Sequence, residues 1–455
     1  MRRTALAVLA TLSVITAPAC SRGGGTSGVK PAASKVPFVA VDPASTDPAD
    51  KAIGVAQTRL QQVPTDAGAK KQLAAAFLQK VRETADPSYY TKVDGILAGL
   101  GGAKSTDPEV LLLEGTLLLA RHQFGAALLV GKAAVSGLPS AASAYGIEVD
   151  ASNELGRYDE ALAATQHMAD LRPDLVSLSR VSYARELRGD LDGAVQAMQQ
   201  AVTAGQGGAD AVSGSQPGIE SGENVAYVQT LLGNLLLIQG RVADAHGAYE
   251  RAISEFPGFA AARAGEASVL VARGKPAEAA ALLADVVKTQ PLTQYVISEG
   301  DDYAAAGMPA QASQAYALVD VITRLYRAAG VNVDVENALY EADHHPTVAA
   351  VDAARRALKD RGGLTGHDTL AWALYGVGRF KEAKVEIDQV LAVGDRDPLF
   401  RLHAAAIDEA VGDHSGASEQ LDLVLGGNPR FSALYQPKIA DLAARLGKTV
   451  PPPAP

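Results

Sequence analysis

The chain has 455 residues, 47% of them hydrophobic and only 5% aromatic, and a formal charge of −10 at pH 7. An acidic chain without a run of Lys and Arg lacks the basic patch that phosphate binding needs, which argues against nucleic acid as a partner. With Cys20 as the only cysteine, no internal disulfide can form, and the fold must stand on packing.

In chain order, residues 1–19 read as a signal peptide. Arg2 and Arg3 give the charged start, Ala5 to Ala17 the apolar run, and Ala17-Pro18-Ala19 the small-residue cleavage site. The run is too short to span a bilayer. Cleavage after Ala19 leaves Cys20 first, as in a bacterial lipoprotein that carries lipid on its first mature residue. This predicts an extracytoplasmic chain held to the membrane by that lipid alone, or secreted if Cys20 is not lipidated. Loss of Arg2 and Arg3 takes the charge from −10 to −12. Residues 20–48, rich in Gly, Ser, Ala and Pro, predict a flexible tether. Residues 49–104 predict two or three helices forming an N-terminal cap.

From about Ser105 to Arg430 a small residue recurs every 33 or 34 positions, as at Ala127, Ala161, Ala194, then Ala245, Ala279, Ala312, and again Ala350, Ala383, Ala417. Glycines such as Gly156, Gly189 and Gly240 stand five positions earlier, and prolines such as Pro173 and Pro257 close the units. Apolar residues fall at helical spacing, as in Leu231-Leu232-Leu235-Leu236, and no stretch sustains the alternation of a strand. A period of this length marks a stacked array of helical hairpins. The phase slips once substantially, between Ala194 and Ala245, with the excess in the Gly- and Ser-rich stretch 205–224. That stretch predicts a loop or hinge between a first block, 105–204, and a second, 225–430. Residues 431–447 predict a capping helix, and 448–455, ending in prolines, a disordered tail.

The unit Val225 to Gly258 places Gly233, Ala245, Tyr249, Ala252 and Pro257 in the order small, small, aromatic, small, proline. Gly156, Tyr158, Ala161 and Pro173 repeat part of it, as do Gly300, Tyr303, Gly307, Ala312 and Tyr316. This order resembles the tetratricopeptide repeat. The resemblance implies an all-α, right-handed superhelical solenoid of about nine hairpins, with an N-terminal helical cap and a C-terminal capping helix. It also implies a non-enzymatic scaffold or adaptor, binding an extended peptide or helix of another protein in an open concave groove without a closed cavity.

Carried over unit by unit, the groove positions of that family fall on Asp150, Asn153 and Glu154, on Tyr183 and Glu186, and on Tyr227, Thr230 and Asn234. They continue at Asp301, at Asp368, Trp372 and Tyr375, and at Glu409. Carboxylates outnumber bases in this set, which implies a polar or basic partner segment. No phosphate loop, HExxH or Gly-x-Ser-x-Gly elbow is present, so neither catalysis nor a cofactor is expected. Two other readings are open. Asp343, His344 and His345, with His367, have the ligand types of a transition-metal site. Trp372 with Tyr375 could stack on a cell-wall carbohydrate.

Overall fold

The computed structural model describes residues 37–207 and 221–455, so the expected signal peptide, Cys20 and most of the stretch 205–224 lie outside the described residues. Among the described residues there are 22 α-helices and no strand. Three helices come first: α1 (Pro48–Gln62), α2 (Ala67–Thr84) and α3 (Ser88–Ala98). The part of the expected tether from 37 to 47 lies against them. The Val39 amide donates to Gln57 Oε1 at 2.7 Å and Gln57 Nε2 donates back to the Val39 carbonyl at 2.9 Å. Val39 and Val41 pack on the core of these helices, and Lys80 pairs with Asp47 at 2.7 Å. A pair of branched apolar residues gains more from this contact than a Gly-Ser composition implies.

Nine hairpins follow. The first three are α4 (Pro108–Ala120) with α5 (Phe124–Gly137), α6 (Ala142–Glu154) with α7 (Tyr158–Leu171), and α8 (Leu175–Glu186) with α9 (Leu191–Gly207). The next three are α10 (Ser221–Ile238) with α11 (Val242–Glu255), α12 (Ala260–Ala272) with α13 (Pro276–Thr289), and α14 (Thr293–Ala305) with α15 (Pro309–Ala328). The last three are α16 (Asp334–His344) with α17 (Val348–Asp360), α18 (Leu364–Gly376) with α19 (Phe380–Leu391), and α20 (Pro398–Val411) with α21 (His414–Gly426). A final helix, α22 (Gln436–Arg445), lies on the end of the array.

Local signals explain the helix ends. Asp107, Asp174 and Asp397 each accept an amide of the following first turn, and at Asp174 the Ser177 side chain completes a capping box. The periodic alanines are all buried, because helices in a hairpin this close leave room for a methyl group and no more. Tyr249 shows the same constraint from the other side. Its ring is wedged between Gly233 and Gly265, where an added Cβ on Gly233 would stand 2.5 Å from it. One buried cluster runs from Ala194 and Met198 in α9 into Val225 and Val228 in α10, so packing continues across the expected hinge.

The array does not stay open. It winds through a full turn, and the second turn stacks on the first in register. The Arg121 carbonyl, between α4 and α5, accepts from the Asn332 amide at 2.8 Å. The Glu154 carbonyl at the end of α6 accepts from the Gly363 amide at 3.0 Å, and the Tyr158 hydroxyl accepts from the Leu364 amide at 2.8 Å. The turn at Gly189 meets Gly394, and the turn at Gly240 meets Gly427. Each of the first four hairpin turns thus touches the loop that follows the hairpin five places on. The tail obeys the same rule rather than fraying: the Ala454 amide donates to the Ala272 carbonyl at 3.1 Å and Arg273 Nε donates to the Pro455 carbonyl at 3.0 Å. Buried Arg361 ties the turns electrostatically, reaching Glu154 in one and Glu336 (2.8 Å) in the other.

Gly156 serves both the hairpin and the stacking. Its φ of 73° is left-handed, and a Cβ there would stand 2.6 Å from the Gly362 carbonyl oxygen. Gly378 has the same φ class, at 78°, with nothing within 4 Å of an added Cβ. Gly378→Ala should therefore lose only the left-handed backbone term, about 1 kcal/mol, and Gly156→Ala roughly twice that or more. Urea unfolding of the two variants checks this; equal losses would mean the stacked turns contribute nothing at Gly156.

Candidate functional site

Stacking of the turns leaves a partly open cavity of about 160 Å³ on the inner side of the superhelix. Its walls are the inward faces of α8, α10, α12 and α14 from the first turn. The second turn supplies the segment leading into α20 and the one between α21 and α22. The expected open groove is narrowed by these second-turn segments into a partly open cavity.

Tyr183, Glu186, Tyr227, Thr230, Asn234 and Asp301 line the cavity together. Two of them are also engaged by their own repeats. Asn234 Oδ1 accepts from the Tyr249 hydroxyl at 2.7 Å, and Asp301 Oδ1 accepts from the Tyr316 hydroxyl at 2.9 Å. The inner helix in each case is buttressed by a tyrosine of its own outer helix.

The remaining expected groove residues lie elsewhere. Asp150 forms a two-pronged pair with Arg180, at 2.9 and 2.6 Å, and burial pushes its carboxyl up while the guanidinium opposes that. Glu154 is held by Arg361 at the stacking of the turns, and Asn153 sits half-buried beside it. Glu409 contacts His414 at 2.7 Å on the outside of the last hairpin. Asp368 is fully buried, bonded to His403 Nδ1 at 2.9 Å, with burial raising its carboxyl above the ordinary range.

Trp372 is a core residue, only 4% exposed. His403 stacks on it at 3.8 Å and Tyr375 at 4.9 Å, its Nε1 donates to Asp343 at 2.9 Å, and Lys438 lies over both the Trp372 and Tyr375 rings. The pair therefore presents no open platform to a sugar. An apolar ring on an inner helix packs between neighbouring repeats when the next helix offers a flat partner, as His403 does here.

The metal reading is corrected in the same way. Asp343 accepts from both Trp372 and the Tyr435 hydroxyl (2.5 Å), His344 faces Asp301 at 3.2 Å, His345 is exposed, and His367 bonds Glu386 at 2.8 Å. Among the described residues no group of three or more His, Cys, Asp or Glu could hold a metal ion.

Sequence reasoning missed Asp302, Tyr295, Asp397, Asn428 and Tyr435, which also line the cavity. The last three come from the second superhelical turn, where a rule based on inner-helix positions has no reach. Asp302 directly follows an expected position, and its signal was the pair Asp301-Asp302 itself. It is 4% exposed, and burial, reinforced by the Asp301 carboxylate, pushes its carboxyl up to about 8.

Residues 236–296 match the tetratricopeptide repeat family. No curated protein matches the chain. Solved structures similar to it include a thermophilic tetratricopeptide-repeat protein of Thermus thermophilus, 17% identical, covering 49% of this chain and 99% of that one with a TM-score of 0.32. The human IFIT1 dimer with PPP-AAAA is 12% identical, covering 83% and 94% with a TM-score of 0.44. A hetero-tetramer of the APC/C, Cut9-Hcn1, is 13% identical, covering 88% and 66% with a TM-score of 0.39.

Asp302 gives a pH-dependent test. An acid whose folded value lies near 8, against 3.8 in the unfolded chain, lowers stability progressively as pH rises from about 4 and costs its full amount above about 8. Asp302→Asn removes that penalty, so it should stabilise by on the order of a few kcal/mol at about pH 8 and by little at about pH 4. Denaturant melts at both pH values decide it; no gain at about pH 8 would place Asp302 in a solvated setting. Nine successive helical hairpins give the chain an all-α helical-repeat solenoid fold, and residues 236–296 of it match the tetratricopeptide repeat.

Proposed function

We propose that the chain is a non-enzymatic scaffold of the bacterial cell envelope that holds a segment of a partner protein inside its superhelix. Tetratricopeptide repeats generally serve as protein-binding scaffolds, which supports the coarse reading. The observation that carries the finer one is the cavity, walled by inner helices of one superhelical turn and by loops of the next. A site built from both turns grips a chain from two sides, and its carboxylates favour a polar or basic segment over an acidic one. The envelope location rests on the apolar run Ala5 to Ala17 followed by Cys20 as the lipid-bearing residue.

The test is proximity cross-linking on intact cells with mass spectrometry, comparing wild type with Ser298→Arg, which fills the cavity from a half-buried wall position. A short set of envelope proteins lost only in Ser298→Arg is the expected result; an identical set would move the binding surface away from the cavity. In the same cells Cys20→Ala should shift the chain from the membrane to the soluble fraction, and unchanged fractionation would remove the lipid anchor.

A further inference from the structure

We infer that the cavity is a site for an alkylammonium ion, with Asp302 as its counter-charge; this rests on the reading that the cavity takes a ligand and names the chemistry of that ligand. Four carboxylates line the cavity, those of Glu186, Asp301, Asp302 and Asp397, and none of the residues lining it is Lys, Arg or His. An anion is therefore excluded from a lumen that a cation would enter favourably.

Asp302 singles out where that cation sits. Its side chain is more than nine-tenths buried and lines the cavity, and the charged neighbour beside it among the described residues is another carboxylate, Asp301, rather than a cation. A buried carboxylate in that state costs stability until a positive charge reaches it. A second group points the same way: Asn428 Nδ2 is buried without an acceptor while Asn428 Oδ1 takes the Arg430 amide at 3.0 Å. The ligand therefore brings a cationic donor for Asp302 and an acceptor for Asn428.

The rest of the wall suits the carbon chain that carries such a charge. Tyr183, Tyr227 and Tyr295 offer ring faces, which attract an ammonium group as well as packing on methylenes, and Leu235, Val271 and Leu283 offer aliphatic surface. A divalent metal is a poorer match, since no three ligating side chains converge among the described residues. Two sources supply the same chemistry: the lysine side chain of a partner segment, with a peptide carbonyl for Asn428, or a free diamine.

Calorimetric titration of the full chain with cadaverine and with a blocked hexapeptide bearing one central lysine separates these sources. At least one should bind. The lysine-to-norleucine peptide should not, and Asp302→Asn should weaken binding by about tenfold or more without lowering the melting temperature. Ser298→Arg, which supplies a cation of the chain's own, should also abolish it. Binding of the peptide alone assigns the site to a partner's lysine; binding of cadaverine alone assigns it to a free amine. No heat with either probe at millimolar concentration, or equal binding by Asp302→Asn, overturns the inference. If Asp302→Asn still captures the cross-linked partners that Ser298→Arg loses, the scaffold reading stands and only the ammonium site falls.

Discussion

The lumen exists because backbone groups some two hundred residues apart come within hydrogen-bonding distance, the Glu154 carbonyl with the Gly363 amide and the Arg121 carbonyl with the Asn332 amide. That approach requires turns without side chains. At Gly156, Gly189 and Gly240 a left-handed glycine ends the first helix of its hairpin, and the bare surface it leaves is where the next superhelical turn lands. Superhelical pitch is therefore limited by contact between turns as well as by the small rotation from one hairpin to the next.

Closure changes the energetics of everything on the inner face. In an open groove the Glu186, Asp301 and Asp302 carboxylates would be hydrated. Here they share a cavity with tyrosine and aliphatic side chains; Asp301 has Tyr316 and His344 against it, whereas burial and the Asp301 carboxylate disfavour charge on Asp302. Elsewhere the fold resolves the same problem internally. Asp150 has Arg180, Asp368 has His403, and Glu154 with Glu336 has Arg361. Asp302 lacks such a partner among the described residues, and this contrast, within one chain, singles it out as the counter-charge proposed above.

Much of the architecture was legible in the sequence, for a physical reason: alanines and glycines every 33 or 34 residues are demanded by contacts between helices adjacent in sequence. The closure was not legible, since stacked turns meet through backbone atoms that leave no pattern of side chains. The site was half legible. Inner-helix positions found Glu186, Tyr227 and Asp301, while Asp397 and Asn428 sit in loops whose placement depends on closure. Asn234, Asp301 and Asp368 occupy matching positions two repeats apart, yet two face the cavity and one is sealed against His403. Which of these occurs depends on the neighbouring outer helix, and a single helix does not encode that. The tail misled for a related reason: prolines that cannot form a helix can still lie along a surface and offer amides and carbonyls to it.

The register of the stacking, five hairpins on each time, reaches as far as the last residues, where the Ala454 amide meets the Ala272 carbonyl. An ordinary repeat array can fold as it is made, each hairpin needing only its neighbour. In this chain the early hairpins leave the ribosome with turns whose partners have not been synthesised, and the inner carboxylates stay hydrated until residues 397–399 and 428–435 reach them. Completion of the cavity thus waits on the second superhelical turn, and loss of residues 453–455 would leave the turn at Ala272 uncovered.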